Sequence, residues 1–196
     1  MKHVFTHLAV AAPLLLAASL SQAVNASYRA NLNGQIEAPP NASPGFSNTV
    51  IELDPTALSL QVTMPFASLL STTMAAHIHC CTGSPFTGTA PVAGELPTFT
   101  GFPQGVTSGN YQHTFDLSDP SWYNPAFLAA NGGTAATAAA LVSGINANEA
   151  YVNIHTTAYP NGEIRGFVVT AVPEPAGWAM LGLGLAGLGL MSRRRA

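Results

Sequence analysis

The chain has 196 residues, with an apolar fraction of 47% but a charged fraction of only 8%. Most cations sit at the ends, as Lys2, Arg193, Arg194 and Arg195, so between residues 24 and 171 two arginines face eight carboxylates, a net charge of −6. A surface of that sign repels phosphate and offers no basic stripe, which excludes nucleic-acid binding; roughly 150 residues between the end segments is the size of one domain.

Residues 1–26 begin with Lys2, continue through the apolar run Leu8–Leu20 and finish in small residues at Ser21-Gln-Ala23 and Val24-Asn-Ala26. This is the pattern of a secretory signal peptide, and its apolar run is shorter than the roughly 20 residues of a transmembrane helix. Cleavage fits after Ala23 or after Ala26.

From residue 27 to 171 turn signals come often, at Ala38-Pro-Pro-Asn41, Ser43-Pro-Gly45, Asp54-Pro55, Gly83-Ser-Pro85, Phe102-Pro-Gln-Gly105 and Ser108-Gly-Asn110. Between them lie short alternating segments: Thr49–Leu53, Ser59–Met64, Ala75–His79, Tyr111–Leu117, Tyr151–Thr156 and Glu163–Val169. Many short strands set off by turns predict a single all-β domain, an antiparallel β-sandwich or barrel of superoxide-dismutase-like or immunoglobulin-like type. Trp122 and Tyr123 are read as anchors of a loop, with ligand stacking the minority reading. One stretch departs from the pattern. Asn124–Asn131 and Thr134–Ser143 are rich in Ala and bounded by Pro and Gly, so two short helices are expected there as a crossover insert.

Adjacent Cys80 and Cys81 on an extended trans backbone would lie about 3.8 Å apart at Cα, below the usual disulfide range, and would point to opposite faces. Two half-buried thiols are the expected state. In the final hairpin, an Asn161-Gly162 two-residue turn would put Glu163 and Arg165 on the face of Val152 and Ile154, against the hydrophobic pattern. A three-residue Pro160–Gly162 loop is therefore predicted, with Val152, Ile154, Ile164 and Val168 inward and Asn153, His155, Glu163 and Arg165 together outside.

The C-terminal segment reads Val172-Pro173-Glu174-Pro175, sixteen apolar or small residues from Ala176 to Met191, then Ser192-Arg193-Arg194-Arg195. As a helix the apolar stretch spans about 24 Å, short of a hydrocarbon core of about 30 Å, which suits a transient anchor with the arginines held in the cytoplasm. Residues 172–196 resemble a PEP-CTERM sorting signal. That resemblance implies handling at the inner membrane by an exosortase-like processing enzyme, then release to the cell surface or medium.

Four stretches, Leu32–Pro40, Ala76-His-Ile-His79, Tyr151–Thr156 and Asn161–Gly166, together resemble the CHRD domain, in the family's order and across residues 28–170. The resemblance marks Glu37, Pro39, Pro40, His77, His79, Asn153, His155, Glu163, Arg165 and Gly166 as family-motif positions; Cys80-Cys81 departs from the family's commonest form. It implies a secreted domain without an assigned reaction.

In a strand, residues i and i+2 point the same way about 6–7 Å apart, so His77 and His79 can reach one ion, and His155 completes a three-histidine set if its strand lies alongside. Copper or zinc would be the cofactor, and His113 or Cys81 the candidate fourth ligand. The spacing is similar to that of Cu/Zn superoxide dismutase, an analogy of fold and spacing only, since the loop ligands of a zinc site are missing. The competing reading has the histidines tying loops to the barrel through hydrogen bonds to carbonyls, with Glu163 and Arg165 in cross-strand ion pairs worth about 0.2–1 kcal/mol. That reading is preferred. With no nucleophile elbow, phosphate loop or paired carboxylates, the leading function is a non-enzymatic envelope or extracellular-matrix module that binds envelope components or exopolysaccharide, and the second is a copper-binding or redox protein.

Overall fold

A computed structural model describes residues 26–171. Residues 1–25, where a signal peptide is expected, and the tail from residue 172, with Pro173, Glu174, Pro175, Arg193, Arg194 and Arg195, lie outside the described residues.

Eight antiparallel strands form one curled sheet, a half-barrel. In chain order they are β1 (Ala26–Asn33), β2 (Phe46–Asp54), β3 (Ser59–Ala67), β4 (Thr73–His79), β5 (Gly109–Asp116), β6 (Tyr151–Thr156), β7 (Ile164–Phe167) and β8 (Val169–Thr170). Across the sheet they run β4-β6-β7-β1-β2-β3-β5, with β8 also on β1. Helices α1 (Pro125–Asn131) and α2 (Thr134–Asn146) fill the connection from β5 to β6. The Asn124 side chain caps α1, and Gly132 at φ 77° ends it, a left-handed conformation that glycine adopts without steric cost.

The two halves of the sheet bury their residues differently. In β2 and β3 every second residue is inward: Ser47, Thr49, Ile51 and Leu53, then Leu60, Val62, Met64 and Phe66. These meet Tyr28, Ala30 and Leu32 of β1, Phe99 and Phe102 from a loop, and Leu141 and Ile145 of α2 in one core. In β6 and β7 nearly every residue is buried, whichever way it points. The cause is the connection after β4. Residues 88–97 cross the outer face, where Arg165 donates to the Gly88 carbonyl, Tyr151 to that of Ala90, and the backbone N–H of Cys80 to that of Pro91. We call this segment the strap.

Two expectations need correction. Cys80 and Cys81 form a disulfide rather than two thiols. Their peptide bond is cis and their Cα atoms are 2.9 Å apart. The pair packs on Gly144 of α2, where an added Cβ would run into both sulfurs. In the final hairpin Val152, Ile154 and Ile164 share one face and Asn153 and Arg165 the other, as predicted, but the loop is longer and holds Glu163, which turns to the Thr156 hydroxyl instead of joining the outer face. Asn153 is paired directly with Arg165 and Ile154 with Ile164, so the chain between the two strands runs over residues 157–163. A shift of register by four residues keeps each side chain on its face, and the loop holds its own shape through Thr156–Tyr159 and Gly162–Tyr159 backbone bonds.

Candidate metal centre

Strand pairing places the three candidate ligands. His77 and His79 alternate with Ile78 on β4, and β6 lies beside β4 with His77 opposite Asn153, His79 opposite Tyr151 and Ala75 opposite His155. His155 therefore sits diagonally across from His77. The ring centroids are 5.0 Å apart for His77–His155, 5.8 Å for His77–His79 and 6.4 Å for His79–His155. One ring nitrogen from each lies within 4.8 Å of the other two.

Each ring is held by a backbone carbonyl. His77 Nε2 lies 2.7 Å from the Pro97 oxygen, His79 Nδ1 2.9 Å from that of Ala90, and His155 Nδ1 2.9 Å from that of Pro160. A carbonyl only accepts, so these nitrogens carry the hydrogens and the opposite nitrogens carry lone pairs. His77 Nδ1 and His155 Nε2 are buried with no hydrogen-bond partner among the described residues. His79 Nε2 meets the Asn153 side-chain amide at 3.1 Å. With a lone pair on Nε2, the amide must present its NH2 group there.

Burial is the main force on the charge state. It pushes the His77 and His79 imidazoles down to about 4, against the opposing pull of the Pro97 and Ala90 carbonyls, and it also lowers His155. At neutral pH the rings are uncharged, the form that ligates metal. His77 and His155 thus each use one nitrogen for a carbonyl and leave the other unengaged, whereas both nitrogens of His79 have partners.

Tyr151 stacks on His79 with centroids 4.6 Å apart, and the Arg165 guanidinium lies 4.9 Å from the Tyr151 ring centre. Arg165 also donates to the Ile36 carbonyl and stands 4.0 Å from Glu37. Burial raises the Glu37 pKa, while the Ala38 N–H and Arg165 lower it. Glu163 is fully buried and takes no ion pair among the described residues. It accepts from the Ser43 hydroxyl, the Leu70 N–H and the Thr156 hydroxyl, at 2.6, 2.6 and 2.7 Å. Pro39 and Pro40 line a small hollow with Pro160–Gly162. At Gly166 a Cβ would come within 2.6 Å of the Asn31 carbonyl oxygen, so glycine lets β7 approach β1.

The structure does not bring the two proposed fourth ligands to this cluster. His113 is on β5, at the opposite end of the strand order from β4, and Cys81 is tied up in the disulfide. Trp122 and Tyr123 are buried anchors; the Tyr123 hydroxyl donates to the Leu117 carbonyl. Sequence reasoning missed the strap, whose carbonyls orient His77 and His79. Its only signal was the run of turn residues from Gly88 to Pro97.

The family model for the CHRD domain matches residues 28–168, and the model for the PEP-CTERM protein-sorting motif matches residues 171–195. No curated protein and no solved structure matches the chain. A PEP-CTERM motif implies export with a C-terminal membrane-anchor sorting step and processing by exosortase-like machinery at the membrane.

Proposed function

We propose, for a chain that belongs to the CHRD domain family and carries a PEP-CTERM sorting motif, that it is a surface-delivered protein binding one transition-metal ion through His77, His79 and His155. The observation that carries the reading is the convergence of one ring nitrogen from each histidine within 4.8 Å, those of His77 and His155 buried without a partner and that of His79 met only by Asn153, with each ring oriented by a carbonyl behind it. Such carbonyl-backed imidazoles are the usual environment of metal-ligating histidines. Three neutral nitrogens suit zinc or copper and leave one position for water or a small ligand. Zinc about 2.0–2.1 Å from each nitrogen needs nitrogen separations of about 3.4 Å, within the 4.8 Å that bounds the three ring nitrogens.

The role is binding rather than turnover, in keeping with a non-enzymatic module at the envelope or in extracellular material. The full chain, stripped with chelator and returned to copper or zinc, should take up about one ion per domain, measured by mass spectrometry of the metal. His79→Ala should abolish uptake without loss of the β-sheet circular dichroism signal. A protein that ignores both metals overturns the reading.

A further inference from the structure

An apolar groove of about 560 Å³ lies between α2 and the turn from β2 to β3. Leu53, Pro55 and Leu58 form one wall, and Ala135, Ala139 and Val142 stand on the other. The described chain ends at its rim. The Ala171 N–H donates to the Ser27 carbonyl, and Ala26 beside it is paired with Leu53. Tyr28, paired with Thr170, donates from its hydroxyl to Asn146, which also lines the groove.

The walls are unlike an ordinary solvated surface. Ala135, Ala139, Ser143 and Asn146 recur every three or four residues on the exposed face of α2, opposite the buried Thr137, Ala138, Leu141 and Ile145. A helix face turned to water normally carries charge, yet no charged residue occurs from Pro120 to Asn148. Leu58 is 39% exposed and holds a left-handed φ of 49°, a turn position where glycine or asparagine costs less. An apolar side chain is thus kept at the groove where neither solvation nor backbone favours it. Asp54, the carboxylate of this turn, is turned back to accept from the N–H groups of Thr56 and Ala57.

The length of chain beyond Ala171 decides what meets this face. The sorting motif implies a membrane-anchored step, and the inference rests on that anchor and not on metal binding. Inserted as a helix with its arginines in the cytoplasm, the apolar stretch 176–191 would cover about 24 Å of a hydrocarbon core of about 30 Å. Residues 172–175 then cross the remaining 6 Å or so, and since they reach at most about 14 Å, about 8 Å is left to Ala171. A headgroup layer is about 5–8 Å deep, so the rim of the groove is held at the headgroups, where apolar helix faces bury themselves. We propose that the groove and the exposed face of α2 form a membrane-contact surface, seated in the periplasmic leaflet of the inner membrane until the tail is processed. The lining carries no charge, so the surface fits zwitterionic lipid and needs no anionic headgroup.

Fluorescence of the full exported chain, reconstituted into phosphatidylcholine vesicles, tests it. Cys80 and Cys81 are bonded to each other, so an introduced cysteine is the one free thiol for an environment-sensitive dye. Single labels are placed at Ala139→Cys in the groove, at Ala186→Cys in the tail, and at Thr107→Cys beyond the far end of β3, where the Thr107 carbonyl accepts from Leu69. With lipids carrying doxyl groups at shallow and deep positions, the dyes at 139 and 186 should be quenched at least about twofold more than the dye at 107. Leu58→Gly with Val142→Thr suits the backbone at both sites and removes apolar contact. It should lower quenching at 139 about twofold, with circular dichroism unchanged. A dye at 139 that is blue-shifted but untouched by doxyl lipid means that the tail or a second copy covers the groove, and overturns the proposal. So does a dye at 139 left in water while that at 186 is quenched, equal quenching at 107, or undiminished quenching in the double variant. An unquenched dye at 186 overturns the anchor itself, and the proposal with it.

Discussion

Glu163 and the histidines make opposite uses of burial. Glu163 is buried but supplied with donors, so replacing it with Leu strands the Leu70 N–H and two hydroxyls, each costing about 1–3 kcal/mol. Glu163→Leu should therefore lower unfolding stability by at least about 3 kcal/mol in a urea titration, and Glu163→Gln by less. The histidines are buried neutral. In the unfolded chain they take a proton near pH 6.5, whereas folded His77 and His79 resist it down to about 4. Between those values the unfolded state binds more protons, so stability should fall as pH drops from about 6.5 toward 4 and level off below. Urea midpoints of the chelated protein at stepped pH check this; midpoints flat across the window would show that the rings titrate as if exposed.

At the scale of elements, close approach decides more than propensity. β7 reaches β1 only because residue 166 lacks a side chain, and the atom that a Cβ would meet is backbone, which cannot swing aside. Gly166→Ala should cost about 3 kcal/mol, the upper end for overpacking, or prevent folding, read from the thermal midpoint. β1 also bears on the signal segment. Ala26 is its first residue and pairs with Leu53, so cleavage after Ala26 would remove a paired residue while cleavage after Ala23 leaves the strand whole. The mature N-terminus is expected at Val24, and mass spectrometry of the exported protein decides it. The hairpin teaches the same lesson in register. Alternation of Val152, Ile154, Ile164 and Val168 fixes which face is inward, but any even shift preserves it, so loop length was settled by the turn's own hydrogen bonds and not by the pattern.

For the whole molecule, the domain and the tail act in sequence. The described strands finish at Thr170 and the sorting match begins at residue 171, so very little chain separates the folded sheet from the motif. Proline at 173 and 175 supplies no backbone N–H and disfavours a helix across these positions. Replacing Pro173, Glu174 and Pro175 with Ala should trap uncleaved protein in the inner membrane, whereas deleting residues 172–196 should release the domain to the periplasm. Fractionation with mass spectrometry of the C-terminus provides the check, and released protein intact through Ala196 would show that the tail is not processed.

Some features of this protein are properties of local order along the chain. The alternation of apolar residues, the turn signals and the Ala-rich insert between Pro and Gly dictate an all-β domain with two short helices, because strand and helix periods are written residue by residue. The His-x-His strand and the Tyr151–Thr156 strand named the three clustered histidines for the same reason. Tertiary structure alone determined the rest, because it depends on residues distant in sequence. It laid the strap over the outer face, closed the Cys80–Cys81 pair against Gly144, gave Arg165 to Glu37 and Glu163 to hydroxyls, and left His113 on β5, at the far end of the strand order from the histidine cluster. No period encodes such meetings. They follow from which surfaces the curled sheet leaves for each connection to cover, and from the cost of burying a polar atom without a partner.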